Sequence, residues 1–161
     1  MRVFVECYPD EALLRAIGVP RKQLRHERCK GEVVKKVLKL DCAIGMIDED
    51  PASAQPRDLS NYEEVEAAEG LRLLARRGSG QRKLVVVCPR LEEWLIQRAL
   101  LSDVKPKDYD LPDDANRLHS IARYDQKGGF RHFLADMIQR DKGMSLLRRW
   151  VLQQENLPGS S

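Results

Sequence analysis

Apolar residues in the first fifty positions form short runs that alternate between strand-like and helix-like spacing. Two apolar runs predict β-strands at residues 2–6 and 42–47, and the second, CAIGMI, is apolar on both faces like an interior parallel strand. A weaker pattern predicts a strand at 24–28. Helices are predicted at 11–17, capped by Asp10, and after Gly31, where Val33, Val34, Val37, Leu38 and Leu40 share one face. The predicted order is β-α-β-α-β.

The pattern changes after residue 50. A turn-rich loop covers 50–61, a short helix is predicted at 62–69, and two strands at 71–76 and 83–88 flank the turn RGSG. Helices follow at 90–101, with Trp94 on the apolar side, and at 115–124, 130–140 and 145–154. We therefore predict an α/β domain over residues 1–104, with a parallel-rich, Rossmann-like sheet flanked by helices. An α-helical C-terminal extension over 105–161 ends in a frayed tail, NLPGSS.

Composition narrows the class of protein. Apolar residues make up 42% of the 161 positions, which is enough for a genuine core. No apolar run is long enough to span a membrane, and the chain starts directly with a strand, so we expect a cytoplasmic protein. The four cysteines lack the spacing of zinc sites and are expected to be reduced and mostly buried. The three histidines have no ligand spacing and are expected to be surface or structural residues.

Charge is distributed unevenly along the chain. Residues 15–39 contain nine basic and two acidic residues, whereas residues 48–69 contain eight acidic residues and one arginine. A basic surface beside a cluster of acidic residues suits a cation site that also binds a polyanion. The solvated faces of two helices would give the same pattern. The nucleic-acid-binding candidates within the basic segment are Arg25, Arg28, Lys30 and Lys35.

The acids with the clearest chemical meaning follow the predicted strands. Glu6 ends the first strand, Asp10 comes four residues later, and Asp48 and Asp50 end the strand CAIGMI. Right-handed crossovers bring the carboxyl ends of parallel strands to one rim of the sheet, so we expect these carboxylates to converge. Converging carboxylates repel unless a cation compensates them, and hard oxygen ligands favour Mg²⁺ or Mn²⁺.

The two stretches VFVECYPDEALL and AIGMIDEDP resemble the signature motifs of the TOPRIM domain, in which a strand ends in Glu and a later strand ends in Asp-x-Asp. The resemblance covers residues 2 to about 50, and more loosely extends to about 101. It implies that Glu6, Asp48 and Asp50 are catalytic and that, with Asp10, they bind metal. Cys7 departs from this pattern, because the family usually has Gly after the Glu.

A third stretch, VVVCPRLEEWLIQ, resembles a segment of small stand-alone TOPRIM-like proteins. By that resemblance Glu92 is the candidate for a further metal ligand, as in nucleases of the overcoming-lysogenisation-defect (OLD) type, with Glu93 as the neighbour to test beside it. An acidic first helical turn that stabilises the helix dipole explains Glu92 equally well.

Two function classes follow. The first is a Mg²⁺-dependent nuclease acting on DNA or RNA, with a regulatory protein partner such as an ATPase and a role in a bacterial defence or mobile-element system. The second is a catalytically inactive TOPRIM-like or receiver-like module that binds metal and regulates another protein. The chain contains neither a P-loop motif nor a GxSxG motif, which argues against ATP hydrolysis through a P-loop and against acyl transfer.

Overall fold

The computed structural model describes residues 1–153, and these form an α/β fold built on one six-stranded mixed sheet. The strands are β1 (Arg2–Val5), β2 (Leu24–His26), β3 (Ala43–Asp48), β4 (Tyr62–Ala68), β5 (Leu71–Arg76) and β6 (Ser79–Val87). The helices are α1 (Tyr8–Ala16), α2 (Lys30–Leu38), α3 (Leu91–Leu101), α4 (Ala115–Ser120), α5 (Gly128–Arg140) and α6 (Lys142–Leu152). No helix in this part of the chain has the length and apolar character needed to cross a membrane.

The strand order in the sheet is β2-β1-β3-β6-β5-β4. Strands β2, β1, β3 and β6 run parallel, and β5 and β4 add an antiparallel edge. The chain leaves β1 through α1 toward β2 and returns through α2 to β3 on the other side of β1. The point where the strand order reverses therefore lies between β1 and β3, and ligands of such sheets bind at this point, beyond the carboxyl ends of the strands.

Helices cover both faces of the sheet and create two separate cores. Alternation in β1 directs Phe4 to one face and Val3 and Val5 to the other. The smaller core packs α2 against the Phe4 face. The larger core combines α1, α3 and the helices after residue 104, so these helices share a core with the sheet.

Glycine is required where α2 approaches the sheet. A Cβ atom on Gly45 of β3 would lie 2.6 Å from Cγ1 of Val33 and 2.8 Å from Cδ2 of Leu84. A side chain at this position would push α2 away, because real Cβ atoms do not come that close to their neighbours.

Three predictions are wrong, two about the elements and one about the cysteines. Residues 62–69 do not form a helix but the edge strand β4, which pairs with β5. Asp10 does not cap α1, because the helix begins at Tyr8 with Cys7 as its N-cap residue, which places Asp10 inside the first turn. The cysteines, which we expected to be mostly buried, are not: Cys29 is exposed and Cys7, Cys42 and Cys88 are partly exposed.

The other predicted elements are observed with small shifts in their bounds. The pattern at 115–124 corresponds to α4 and a separate 3₁₀ turn at Tyr124–Gln126. The predicted end of the last helix at residue 154 and the predicted frayed tail lie outside the described residues.

Candidate active site

The carboxyl ends of β1 and β3 bring two of the predicted acids to the same rim. The strands are parallel neighbours, with Val5 opposite Met46, so Glu6, the residue after β1, and Asp48, the last residue of β3, lie at the same end of the sheet. Both side chains are partly buried. The main-chain N–H of Leu91 donates a hydrogen bond to Oδ1 of Asp48 at 3.1 Å, which links the start of α3 to this rim.

Asp10 is the most unusual residue of the rim. Its side chain is 1% exposed, and neither carboxylate oxygen has a well-formed hydrogen bond to another residue among positions 1–153. Helix α1 places it there because its first turn begins at Tyr8, with Pro9 as an early helical residue, while Leu13 and Leu14 face the core. Buried carboxylates are normally paired, so these oxygens suit either a bound proton or a bound cation.

Burial and mutual repulsion act on these acids together. Burial, followed by the charges of Glu6 and Glu92, raises the pKa of Asp10 to about 7, whereas weak hydrogen bonding from the thiol and the main chain of Cys7 lowers it. Burial, followed by the charges of Asp10, Glu6 and Glu92, raises the pKa of Asp48 to about 8. These four residues therefore form one electrostatically coupled group, which we call the acidic cluster.

Glu92 enters the acidic cluster from the first turn of α3, where it is 7% exposed. The hydroxyl of Tyr124 donates to its Oε1 at 3.1 Å, and Nδ1 of His119 donates to the same atom at 3.2 Å. Its neighbour Glu93 instead accepts two hydrogen bonds of 3.0 Å from Nε of Arg90, which lowers the pKa of Glu93. Two adjacent glutamates thus have different environments, and only Glu92 belongs to the cluster.

Sequence reasoning missed the two partners of Glu92. They lie 27 and 32 residues later in the chain, and the histidine was expected to have a surface or structural role. The signal that could have found them is weak. The C-terminal helices had to pack somewhere on the α/β core, and a polar residue at such a contact needs a buried partner.

Asp50 lies beside the cluster rather than within it. Its φ of 41° takes it out of the strand conformation, and its main-chain N–H donates to the carbonyl of Pro89 at 2.8 Å. Burial raises the pKa of Glu6, the charge of Lys30 lowers it, and the charge of Asp50 raises it. Asp50 therefore acts on the cluster through Glu6.

A cavity of about 490 Å³ opens next to Glu6 and brings two of the four predicted nucleic-acid-binding residues to the site. Lys30 and Lys35 line it together with Glu6 and Asp50. Nζ of Lys30 donates to the carbonyl oxygen of Glu49 at 2.8 Å. Arg25 instead donates to carbonyls of its own segment, and Arg28 is exposed on the segment before α2.

The acidic cluster is not a finished coordination shell. Within residues 1–153, no group of three or more His, Cys, Asp or Glu side chains lies in an arrangement that could hold a metal ion directly. Metal binding would therefore require rotation of side chains within the cluster. The orphaned oxygens of Asp10 and the raised pKa of Asp48 are the observations that fit a cation.

Comparisons with known proteins leave the family open. No protein-family model matches the chain, and no curated protein or solved structure matches it significantly. The chemistry of the site must therefore be argued from its own residues.

Proposed function

We propose that this chain is a TOPRIM-like, Mg²⁺- or Mn²⁺-dependent nuclease whose active centre is the acidic cluster with Asp50. The observation that carries the proposal is Asp10, a buried carboxylate without a well-formed hydrogen bond to either oxygen among residues 1–153, beside three further acids. Burial and the charges of neighbouring acids make ionisation of this group costly, and a bound cation would offset that cost.

Each acid has a distinct role in the proposed centre. Asp10, Asp48 and Glu92 would bind the cation, and Asp50 would complete the site from the cavity side. A bound Mg²⁺ supplies an activated water and stabilises the leaving oxygen of a phosphodiester. The raised pKa of Glu6 suits a general base, because a carboxylate with a higher pKa accepts a proton more readily.

The basic residues at the neighbouring cavity would hold the substrate. Lys30 and Lys35 line the same cavity as Glu6, so a phosphate in it would meet positive charge on one side and the acids on the other. This arrangement suits a phosphodiester, which brings negative charge to a site that also requires a cation.

The test is metal-dependent cleavage of plasmid DNA and of structured RNA by the purified full chain. Glu6→Gln and Asp48→Asn should abolish cleavage while leaving the circular dichroism spectrum unchanged. Glu92→Gln and Glu93→Gln form a matched pair, because only Glu92 belongs to the cluster; we expect a loss of activity in the first and near-normal activity in the second. Glu49→Gln is a further control between the two aspartates.

Binding of Mn²⁺, measured by calorimetry, separates the alternatives. Metal binding without cleavage of any nucleic acid would favour the non-catalytic regulatory module. Neither binding nor cleavage would contradict both functions. A regulatory partner is part of the proposal, because an unrestrained nuclease would harm its host, and co-purification of the native complex tests it.

A further inference from the structure

An aromatic and cationic stack lies on the surface directly beside the acidic cluster. The Tyr8 ring packs against the His26 ring with centroids 4.4 Å apart, and Cζ of Arg123 lies 3.7 Å from the Tyr8 centroid. Nε2 of His26 donates to the main-chain carbonyl of Glu6 at 2.9 Å. The stack, which we call the His26–Tyr8–Arg123 column, is therefore attached to the backbone of the proposed general base.

The column lies at the surface of the protein. Tyr8 is 44% exposed. One face of the Arg123 guanidinium covers Tyr8, and its edge is bound by Asp125 through two hydrogen bonds of 3.0 Å. The side chain of Arg123 is still 43% exposed. Arg123 also lines the groove described below, so part of its guanidinium is accessible to a further planar group.

The backbone of Arg123 adopts an uncommon conformation to reach this position. Its φ of 52° lies in the left-handed region, which a residue with a Cβ atom occupies at a cost. The next residue, Tyr124, donates to Glu92 in the acidic cluster. Two consecutive residues thus contact the column and the cluster, and such local strain is retained where the surrounding structure uses the geometry.

A basic groove leads from the column along α1. Tyr8, Ala12, Arg15 and Ala16 follow helical spacing and form one exposed or half-exposed stripe of that helix. The stripe continues into a groove of about 780 Å³ between α1 and α5. The small alanine side chains leave the groove open, and Tyr8 stands at the end of the stripe nearest to Glu6.

The charges of the groove match a phosphate backbone. Its lining contains four Lys or Arg side chains and one acid, Asp125, which is already paired with Arg123. Lys127 contacts Asp110, but neither Arg15 nor Arg131 has an ion-pair partner among residues 1–153. Unpaired arginines along a groove that ends at a stacking surface are the features of sites that bind single-stranded nucleic acid.

We infer that the substrate of the proposed nuclease is a single strand or an unpaired end, with its backbone in the α1–α5 groove and one base stacked on the outer face of Arg123. This inference rests on the proposed function. A base in a duplex is already stacked on both sides and cannot extend the column, whereas an unpaired base offers a free face at little cost. The base stacked on Arg123 would place the adjoining phosphate toward the acidic cluster.

The experiment measures binding of a fluorescein-labelled 20-nucleotide strand, as DNA and as RNA, by fluorescence anisotropy of the full chain in EDTA. EDTA prevents cleavage and makes the result independent of the metal. Tyr8→Ala and Arg123→Ala should each weaken binding of the single strand about 10-fold, and Tyr8→Phe should bind like the wild type. The same sequence as a duplex should bind more weakly and should not respond to Tyr8→Ala.

The groove is tested with charge reversal. Arg15→Glu and Arg131→Glu should weaken binding and reduce its dependence on salt concentration. Arg77→Glu is the matched control, because it makes the same change of charge in the turn between β5 and β6, at the opposite rim of the parallel strands. Unfolding curves of all variants confirm that the fold is retained, as expected for exposed positions.

The inference is overturned if Tyr8→Ala and Arg123→Ala bind the single strand like the wild type, or if a duplex binds as tightly and responds to the same substitutions. Its failure is distinct from failure of the proposed function. If the single strand binds and both substitutions weaken that binding, but no metal-dependent cleavage occurs, the binding role of the column is supported and the proposed nuclease activity is contradicted. If metal-dependent cleavage occurs and both variants bind the single strand like the wild type, the proposed nuclease activity is supported and the binding role of the column is contradicted.

Discussion

The guanidinium of Arg98 forms an ion pair with the buried carboxylate of Asp141, with Nη2 at 2.7 Å and Nε at 2.9 Å from Oδ1. Arg98 belongs to α3, and Asp141 is the N-cap residue of α6, where it also accepts from the main-chain N–H of Met144 at 3.1 Å. One ion pair therefore joins the helix that presents Glu92 to the last described helix.

Removal of the arginine should be strongly destabilising. Arg98→Met would leave a buried carboxylate without its cation, so we expect the free energy of unfolding to fall by about 3–5 kcal/mol in urea denaturation. The matched control is Arg77→Ala, whose ion pair with Glu63 is exposed and should contribute less than about 1 kcal/mol. Similar losses in the two variants would contradict the role of the buried pair.

Two adjacent glycines at the start of α5 should respond differently to alanine. A Cβ atom on Gly129 would lie 1.8 Å from the carbonyl oxygen of Tyr109, whereas a Cβ atom on Gly128 would meet no atom of the described residues within 4 Å. Gly129→Ala must separate α5 from the 3₁₀ turn Pro106–Tyr109, and we expect a cost of at least about 1–3 kcal/mol. Gly128→Ala should be nearly neutral, and thermal denaturation compares the two.

The protein without metal should lose stability as the pH rises. Asp10 and Asp48 have pKa values of about 7 and about 8 in the folded chain, whereas carboxyl groups in unfolded chains have pKa values of about 4. Between these values the folded state binds more protons than the unfolded state, so stability falls with increasing pH and levels off above pH about 8.

Thermal denaturation in EDTA from pH about 5 to about 8 measures this dependence. Asp10→Asn should flatten the profile, because it removes one of the titrating groups. Added Mg²⁺ should restore stability at the upper end of the range. A melting temperature that rises with pH in EDTA would show that the acids are not repelling one another.

Tyr124→Phe tests whether the C-terminal helices position Glu92. The substitution removes one hydrogen bond and keeps the ring, so the free energy of unfolding should fall by only about 1 kcal/mol. Affinity for Mn²⁺ should fall about 10-fold or more, because groups that orient a metal ligand contribute at that level. An unchanged affinity would mean that Glu92 does not need Tyr124 for its position.

The local patterns of the sequence predicted most of the fold, and two misses show where such patterns fail. Residues 62–69 are rich in Glu and Ala, which favour a helix, yet pairing with β5 makes them a strand that is exposed on both faces after Tyr62. The position of Asp10 before an apolar helical run predicts that it caps the first helix. Cys7 and Pro9 start the helix earlier, and this shift of one turn is what buries the carboxylate.

The acidic cluster was predictable only in part. Glu6 and Asp48 follow strands that parallel topology brings together, and that much is local information. The differing environments of Glu92 and Glu93 depend on Arg90, Tyr124 and the packing of helices that follow α3. Contacts between residues so far apart leave no periodic trace in a single sequence.

The contact between Tyr124 and Glu92 has a consequence for the newly made protein. Ribosomal synthesis releases all four acids of the cluster by residue 92, but the hydroxyl that orients the last of them emerges more than thirty residues later. A nascent chain would thus carry its acids before it could arrange them. The proposed nuclease activity would therefore begin only after the helices that carry Tyr124 had docked.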